Sequence, residues 1–533
     1  MRLDDWFLTL EERGNAHSRI DVSESSTDAW TEGNQVSSLI DGAEYFSQLL
    51  EEFVALEAGD QVRFTDWRSD GDERLCESGP TIRSLVVDTC RRGVDVRGLL
   101  WRSHSDRFAF SAKQNRRFAA EVIDAGGQVL LDERVRRGGS HHQKAVLLRH
   151  PLQPERDVAF IGGIDLSHGR RDDGRHHGND QAIKLDVRYG SHPPWHDVQL
   201  AVRGPAVSDL DLSFRERWED PTPLNYAGLA RSWTSRILSR DRVAEALPVA
   251  LSDPPVTGAH AVQVLRTYPA RRPSYPFAPT GERSVARAFA KAVRRARSLI
   301  YIEDQYFWSI EVAEILANAL RQQPELQLIA VVPRFPDKDG RLSGPPSRFA
   351  QARALAVVKA AGGPRVGIYD VQNEAGTPIY VHAKVCVIDD VWATVGSDNL
   401  NRRSWTHDSE LSCAVIDCER DAREPHDPAG LGDGSRRFAR DLRLALWAEH
   451  LGCSPDDPSL LPLAGSTELW KMAAREREAG SHPSSGADGS SSRVREHVIA
   501  AVPRGARVWA QVAYHLIFDP DGRPLALRMK HQF

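Results

Sequence analysis

The sequence predicts an α/β protein built as two similar halves. Two observations carry that prediction: short apolar strands alternate with amphipathic helical stretches in a series that stops and restarts, and a His-x-Lys tripeptide opens a strand in each series. The length agrees, because at roughly 100 to 200 residues per domain a chain of 533 suits two sizeable domains or one large bilobal unit.

The chain starts polar and then offers an amphipathic helix over Tyr45–Leu56, with apolar residues at three- and four-residue steps. The first α/β series follows, with strands at Val94–Trp101, Val129–Leu131, Lys144–Leu148 and Val158–Ile164. A helix near Ala112–Ala125 is ended by the cap Gly126-Gly127. A Pro-rich passage from Pro248 to Pro279 separates this from the second series. There the strands are Leu299–Phe307, Leu326–Val332, Val366–Tyr369, Lys384–Ile388 and Leu411–Val415, with helices running to about Arg321 and near Phe349–Ala361. Gly480–Ser492 is poor in apolar residues and reads as a flexible linker. The expected organisation is a first half over 1–250, a second over 251–470, a linker over 471–493 and an extension over 494–533 whose aromatic, strand-like segments pack on the body.

Hydrophobic residues at 41% and charged residues at 27% exclude a disordered or fibrous protein. A net charge of −5 leaves phosphate binding to a local cluster and makes a polyanion-coating protein a poor reading, so no nucleic acid is expected. Only nine of the 69 basic residues are lysines, which makes each lysine informative. Six cysteines without a C-x-x-C pair fit a reducing compartment. Acidic residues stand where a signal peptide would begin its apolar core, and no apolar run is long enough to span a membrane. The expectation is a cytoplasmic protein, peripheral at a membrane at most.

The chemistry sits in the repeat. His142-Gln143-Lys144 and His382-Ala383-Lys384 each open a strand, where residues i and i+2 share a face, so each half supplies one base and one cation to a common site. Each strand is followed by a small-residue turn, Gly162-Gly163-Ile164-Asp165 and Gly396-Ser397-Asp398-Asn399. Gly163 allows close backbone approach to a ligand, and Ser397 and Asn399 offer donors to phosphate oxygens beside Lys144 and Lys384. Asp165 is placed either to hold a lysine or the head group, or simply to cap the turn. A carboxylate lies further on in each half, Asp172 and Glu410, suited to orient the imidazoles; the alternative is a surface salt bridge with adjacent arginines. A histidine attacking phosphorus must present a neutral nitrogen, and a second must begin protonated to release the leaving oxygen. The reaction class is phosphoryl transfer through a phosphohistidine, with Lys144, Lys384, Ser397 and Asn399 stabilising the transition-state oxygens and no metal or cofactor required.

These residues resemble the phospholipase D superfamily, whose signature is H-x-K-x4-D twice, each followed by a glycine-rich G-[GS]-x-[ND] turn. His382-x-Lys384-x4-Asp389 with GSDNLNRRSW matches the second copy, whereas Arg149 stands where the first copy would have Asp. SHHQK, FIGGIDLSHGRRD, PPWHDVQLAVRGPAV with FRERW, YIEDQYF and LWAEHLG resemble the phosphatidylcholine-type, eukaryote-like branch, and the likeness runs from about Gly33 to Gly452. The resemblance implies two α/β halves facing each other across a pseudo-twofold with the site between them. It also implies His142 as nucleophile, His382 as general acid and a supporting role for Asp389. A single chain would then hold one complete site, so a monomer suffices. The implied function is hydrolysis of glycerophospholipid head groups to phosphatidic acid, with transphosphatidylation to alcohols. A cardiolipin synthase-like transferase, another phosphodiesterase, or a non-catalytic lipid binder with Arg149 marking a lost half-site are the alternatives. The length of the chain leads to the expectation of no C2, PX or PH module.

Other features have blander readings. The histidines of segment 141–196 match no familiar zinc spacing, and loop or structural roles are expected. Trp67, Trp195, Trp308 and Trp405 are expected near the cleft mouth, as packing or as membrane contacts. The basic run from Arg91 to Arg137 is interleaved with acids and reads as a solvated face.

Overall fold

The computed structural model describes residues 1–20, 28–102, 113–224, 244–337, 343–479, 492–499, 502, 504–530 and 532–533. The first half supplies β1 (Thr31–Ile40), β2 (Gln61–Asp66), β3 (Asp95–Trp101), β4 (Gln128–Asp132), β5 (Ala145–Arg149), β6 (Val158–Gly162), β7 (Trp195–His196) and β8 (Val198–Arg203). The second supplies β9 (His260–Tyr268), β10 (Glu282–Arg283), β11 (Leu299–Asp304), β12 (Gln327–Val331), β13 (Val366–Val371), β14 (Tyr380–Val381), β15 (Lys384–Ile388), β16 (Trp392–Gly396) and β17 (Glu410–Asp417), and the C-terminal extension adds β18 (Val494–Glu496).

Sixteen of these strands form one mixed sheet flanked by helices. Its order contains one topology twice: β1-β8-β6-β5-β2-β3-β4 in the first half answers strand for strand to β9-β17-β16-β15-β11-β12-β13 in the second. The halves join where the equivalent strands β1 and β9 pair antiparallel, as a pseudo-twofold requires. A continuous sheet thus replaces two separate ones.

Alternation along the strands builds the core. Ala145 and Leu147 of β5, with Val385 and Val387 of β15, enter a single apolar core shared by the two halves. Val146 and Leu148 face the opposite way into a core of the first half, and Cys386 and Ile388 into the corresponding core of the second. The period-2 pattern therefore lets β5 and β15 share the central core through one face each, with the His-x-Lys segments at their N-terminal ends.

Residues 471–478, expected in a linker, belong to the helix Ser466–Glu478, whose Trp470 packs on Tyr301 and Tyr369. The remainder of the expected linker, 480–491, lies outside the described residues. Beyond it, β18 extends the sheet edge at β13, but residues 507–529 are mostly helical where strands were expected. The reason is burial: Tyr514 is inserted against Trp308 while Val508, Val512, Leu516 and Ile517 stay exposed, a one-sided pattern of period near four. Among the described residues, no helix is long and apolar enough to cross a membrane.

Candidate active site

The His-x-Lys segments are held by short parallel bridges between the halves. His141 bridges Ser409, with the His142 N–H donating to the Ser409 carbonyl at 2.9 Å. In the same way β14 pairs parallel with β7, and the His382 N–H donates to the His196 carbonyl at 2.8 Å. Each histidine therefore lies against the other half.

The carboxylates are exchanged accordingly. His142 Nδ1 meets Glu410 Oε2 at 2.8 Å, and His382 Nδ1 meets Asp197 Oδ2 at 2.6 Å. Gly162 pairs with Gln199 and Gly396 with Ser412, so Asp197 and Glu410, each two residues earlier, are equivalents at the starts of β8 and β17. With Nδ1 engaged, Nε2 is the nitrogen left for chemistry in each imidazole.

The lysines flank this pair. Lys144 Nζ donates to the His142 carbonyl at 2.9 Å and lies 3.5 Å from Asp165, which is also 3.8 Å from Arg170. Lys384 donates to the His382 carbonyl and to Gln305 Oε1, the latter at 3.2 Å. Aromatic walls complete the site: Trp195 packs on His382 at 4.9 Å under the Arg170 guanidinium, and Trp67, stacked on Trp101, approaches His142 at 6.3 Å.

Burial dominates the electrostatics. It lowers both imidazoles well below the usual histidine range, reinforced at His142 by Lys144 and Lys384, and at His382 by Lys384, Arg170 and Lys144. Burial brings Lys384 down to about 8 against the pull of Asp197, and with Asp408 it pushes Glu410 up to about 8. Two neutral imidazoles, each carboxylate-bound and facing two ammonium groups, suit transfer of a phosphoryl group between nitrogen and oxygen.

The structure brings together His142, Lys144, His382, Lys384, Glu410 and Asp165, and it moves other expected residues out of the reacting shell. Asp172 does not orient an imidazole of the pair; its carboxylate accepts the N–H groups of Asp173, Gly178 and Trp195 and so fixes the loop that carries Arg170. Asp389 sits in the β15–β16 turn, where it accepts the N–H groups of Arg297, Ser298 and Leu299. Ser397 spends its hydroxyl on Glu410 at 2.5 Å, a positioning contact in place of the expected phosphate donor. Gly163 makes room for Asp197, since a Cβ there would fall 2.0 Å from Oδ1. Asn399 is buried with Oδ1 unpartnered among the described residues. Arg149 is buried in its own ion pairs, at 2.6 Å to Asp157 and 3.5 Å to Asp211, which accounts for a cation where the second half has Asp389. Trp405 is core packing against Phe289 and Trp308 is covered by Tyr514, so neither lies open at a cleft mouth.

Sequence reasoning missed Asp197, Gln305 and Arg170, though all three lie in the quoted phrases PPWHDVQL, YIEDQYF and GRRD. Counting residues from each histidine selected Asp172 because the first half inserts a long excursion between its glycine turn and β8. The sheet register, unlike the count, identifies Asp197.

A family described as Phospholipase D matches residues 77–313, and one described as Cardiolipin synthase, PLD-like domain matches residues 289–423. This chain belongs to the phospholipase D superfamily. Among superfamily relatives, Phospholipase D alpha 2 of Oryza sativa subsp. japonica is 25% identical over 496 residues, covering 72% of this chain and 58% of that protein. Phospholipase D beta 2 of Arabidopsis thaliana is 27% identical over 421 residues, covering 60% and 44%. The chain spans about half the length of these relatives. Among solved structures, the phosphatidylserine synthase of Haemophilus influenzae Rd KW20 aligns with a TM-score of 0.47 at 13% identity, over 72% of this chain and 82% of that one.

Proposed function

We propose that this superfamily enzyme hydrolyses the head-group phosphodiester of glycerophospholipids to phosphatidic acid and a free alcohol. The observation that carries the reading is the exchange of carboxylates between halves, which fixes both imidazoles by Nδ1 and leaves two Nε2 atoms for one phosphorus. His142 Nε2 attacks phosphorus, the P–O bond to the head group breaks, and protonated His382 gives its proton to the departing oxygen. Neutral His382 then takes a proton from water, the hydroxide attacks phosphorus, and the P–N bond breaks to restore His142. An anionic phosphodiester against Lys144 and Lys384 offsets the cations that depress His382 and so restores its affinity for the proton.

Access to lipid is supported by the C-terminal segment. Leu516 lines a cavity with Arg136, Arg137, Arg402 and Arg528 against the acid Asp521, and Ile517, Leu525 and Met529 are exposed on the same segment, which together suit an anionic bilayer surface. A second reading, transfer of the phosphatidyl group to an alcohol acceptor, is favoured by the match of residues 289–423 to the cardiolipin synthase-like family. Mixed phospholipid vesicles with ethanol test both. Phosphatidic acid and phosphatidylethanol from wild type but not from His142→Ala support the mechanism. Phosphatidylethanol alone favours the transferase, and binding without either product overturns the enzymatic reading in favour of a lipid binder.

A further inference from the structure

Behind the His382–Asp197 pair lies a second group of ionisable side chains that the phosphoryl-transfer chemistry does not use, with Asp41, His176 and His196 buried and Glu449 partly so. His176 Nδ1 is bonded to the Trp195 carbonyl at 3.1 Å, and His196 Nε2 to Glu303 Oε2 at 2.7 Å. Those contacts turn the opposite nitrogens, His176 Nε2 and His196 Nδ1, toward two carboxylates brought from distant elements. His176 Nε2 lies 2.9 Å from Glu449 Oε1 and 3.7 Å from Asp41 Oδ2, and His196 Nδ1 lies 3.0 Å from Asp41 Oδ1 and 3.1 Å from Glu449 Oε1. The four donors lie within 4.8 Å of one another.

Two features are poorly explained by hydrogen bonding. His196 Nδ1 has two carboxylate oxygens at contact distance yet makes a hydrogen bond to neither, so the ring nitrogen points between them. Asp41 Oδ2, on a residue 2% exposed, also has no hydrogen-bond partner. An unpartnered buried carboxylate oxygen is costly, and a cation at the common focus would satisfy both atoms.

We propose that the protein binds one zinc ion through Asp41, His176, His196 and Glu449. Zinc bonds to nitrogen and oxygen are about 2.0–2.2 Å, which gives a tetrahedron with edges of about 3.3–3.6 Å. The four nitrogen–oxygen separations, from 2.9 to 3.7 Å with Asp41 counted through both of its oxygens, straddle that edge, and the full donor set lies within 4.8 Å. Two carboxylates and a divalent ion are neutral together, and neutral imidazoles need share no protons. Glu303 supplies the supporting shell, holding His196 Nε2 while accepting from His450 at 2.9 Å and from the Tyr301 hydroxyl at 2.5 Å. Four protein ligands, filling a tetrahedral set with no position left for water, define a structural ion rather than a hydrolytic one.

Its position gives the ion a purpose. Asp41, His176 and His196 come from the first half and Glu449 from the second, so the ion clamps the halves together. His196 precedes Asp197, and the Asp41 N–H donates to the Asp197 carbonyl at 2.8 Å. The ligands are therefore positioning residues for the carboxylate that orients His382.

The test is metal analysis of the untagged full chain purified without chelator. The expected result is about one zinc per chain by mass spectrometry, lost in His176→Ala and in Glu449→Gln with a lower Tm, and retained when the exposed neighbour is changed in His177→Ala. Should the two variants fail to fold, cobalt(II)-substituted wild type must show the strong visible absorption of a tetrahedral nitrogen–oxygen site. Folded wild type without stoichiometric metal, and with a Tm unmoved by added zinc, overturns the proposal in favour of a bare imidazole–carboxylate network. Zinc retained at full stoichiometry by both variants overturns it as well. Neither readout depends on the lipid reaction.

Discussion

Asp197 and Glu410 each hold one imidazole by Nδ1, so their loss should act on chemistry more than on binding. Asp197→Asn and Glu410→Gln present the wrong hydrogen-bonding partner, and kcat is expected to fall by about 10²–10⁴-fold with a smaller change in KM, measured by phosphatidic acid release. Glu410 must be ionised to accept from Nδ1, whereas Lys384 must keep its proton to bind phosphate, and both lie at about 8. Activity rises as Glu410 loses its proton and falls as Lys384 loses its own, which predicts a narrow bell in kcat/KM close to pH 8. The same shift has a stability consequence. In the unfolded chain Glu410 ionises near 4.5, while burial holds its proton to about 8, so folding becomes harder as pH rises through that window. Glu410→Gln removes the buried charge and should melt at a higher temperature than wild type above pH 8, as calorimetry would show, while losing activity.

At the scale of elements, the glycine turn after β6 and the helical C-terminal segment each make a demand. Gly163→Ala would place a Cβ 2.0 Å from Asp197 Oδ1, so it is expected to displace that carboxylate and cost roughly tenfold or more in kcat in the vesicle assay. The equivalent Ser397 has space for its side chain and uses it on Glu410, which is why the two turns differ in sequence. The exposed apolar residues Leu516 and Ile517 belong to a one-turn π-helix that Tyr514 anchors beneath Trp308. Leu516→Asp with Ile517→Asp should weaken sedimentation with anionic vesicles while leaving turnover of a soluble short-chain substrate within about twofold.

Across the whole molecule, each half brings one histidine and one carboxylate but pairs neither within itself. The site therefore exists only when the β1–β9 joint and the two parallel bridges are made. Residues 1–250 and 251–533 expressed separately should each show no turnover, a result that an assay of either fragment checks directly. A fragment that turned over alone would break the crossed-pair account.

The sequence by itself determined the two α/β series, with β3–β6, β11–β13, β15 and β17 legible but β1, β2, β8, β9 and β16 unread, and the gathering of His142, Lys144, His382 and Lys384. Those features are local: period-2 burial and the i, i+2 relation within a strand need no knowledge of the partner half. Only the tertiary structure decided that Asp197 takes the place of Asp172 and that the carboxylates cross between halves, Glu410 to His142 and Asp197 to His382, that Ser397 works through Glu410, and that Arg149 is balanced by Asp157 and Asp211. Each of these joins residues far apart in the chain, and an insertion of one loop shifts a count along the sequence while leaving the register of the sheet unchanged. The gathering of Asp41, His176, His196 and Glu449 has the same origin. No spacing encodes it, because its four donors come from a strand end, a loop, a bridge strand and a helix that meet only when the halves close.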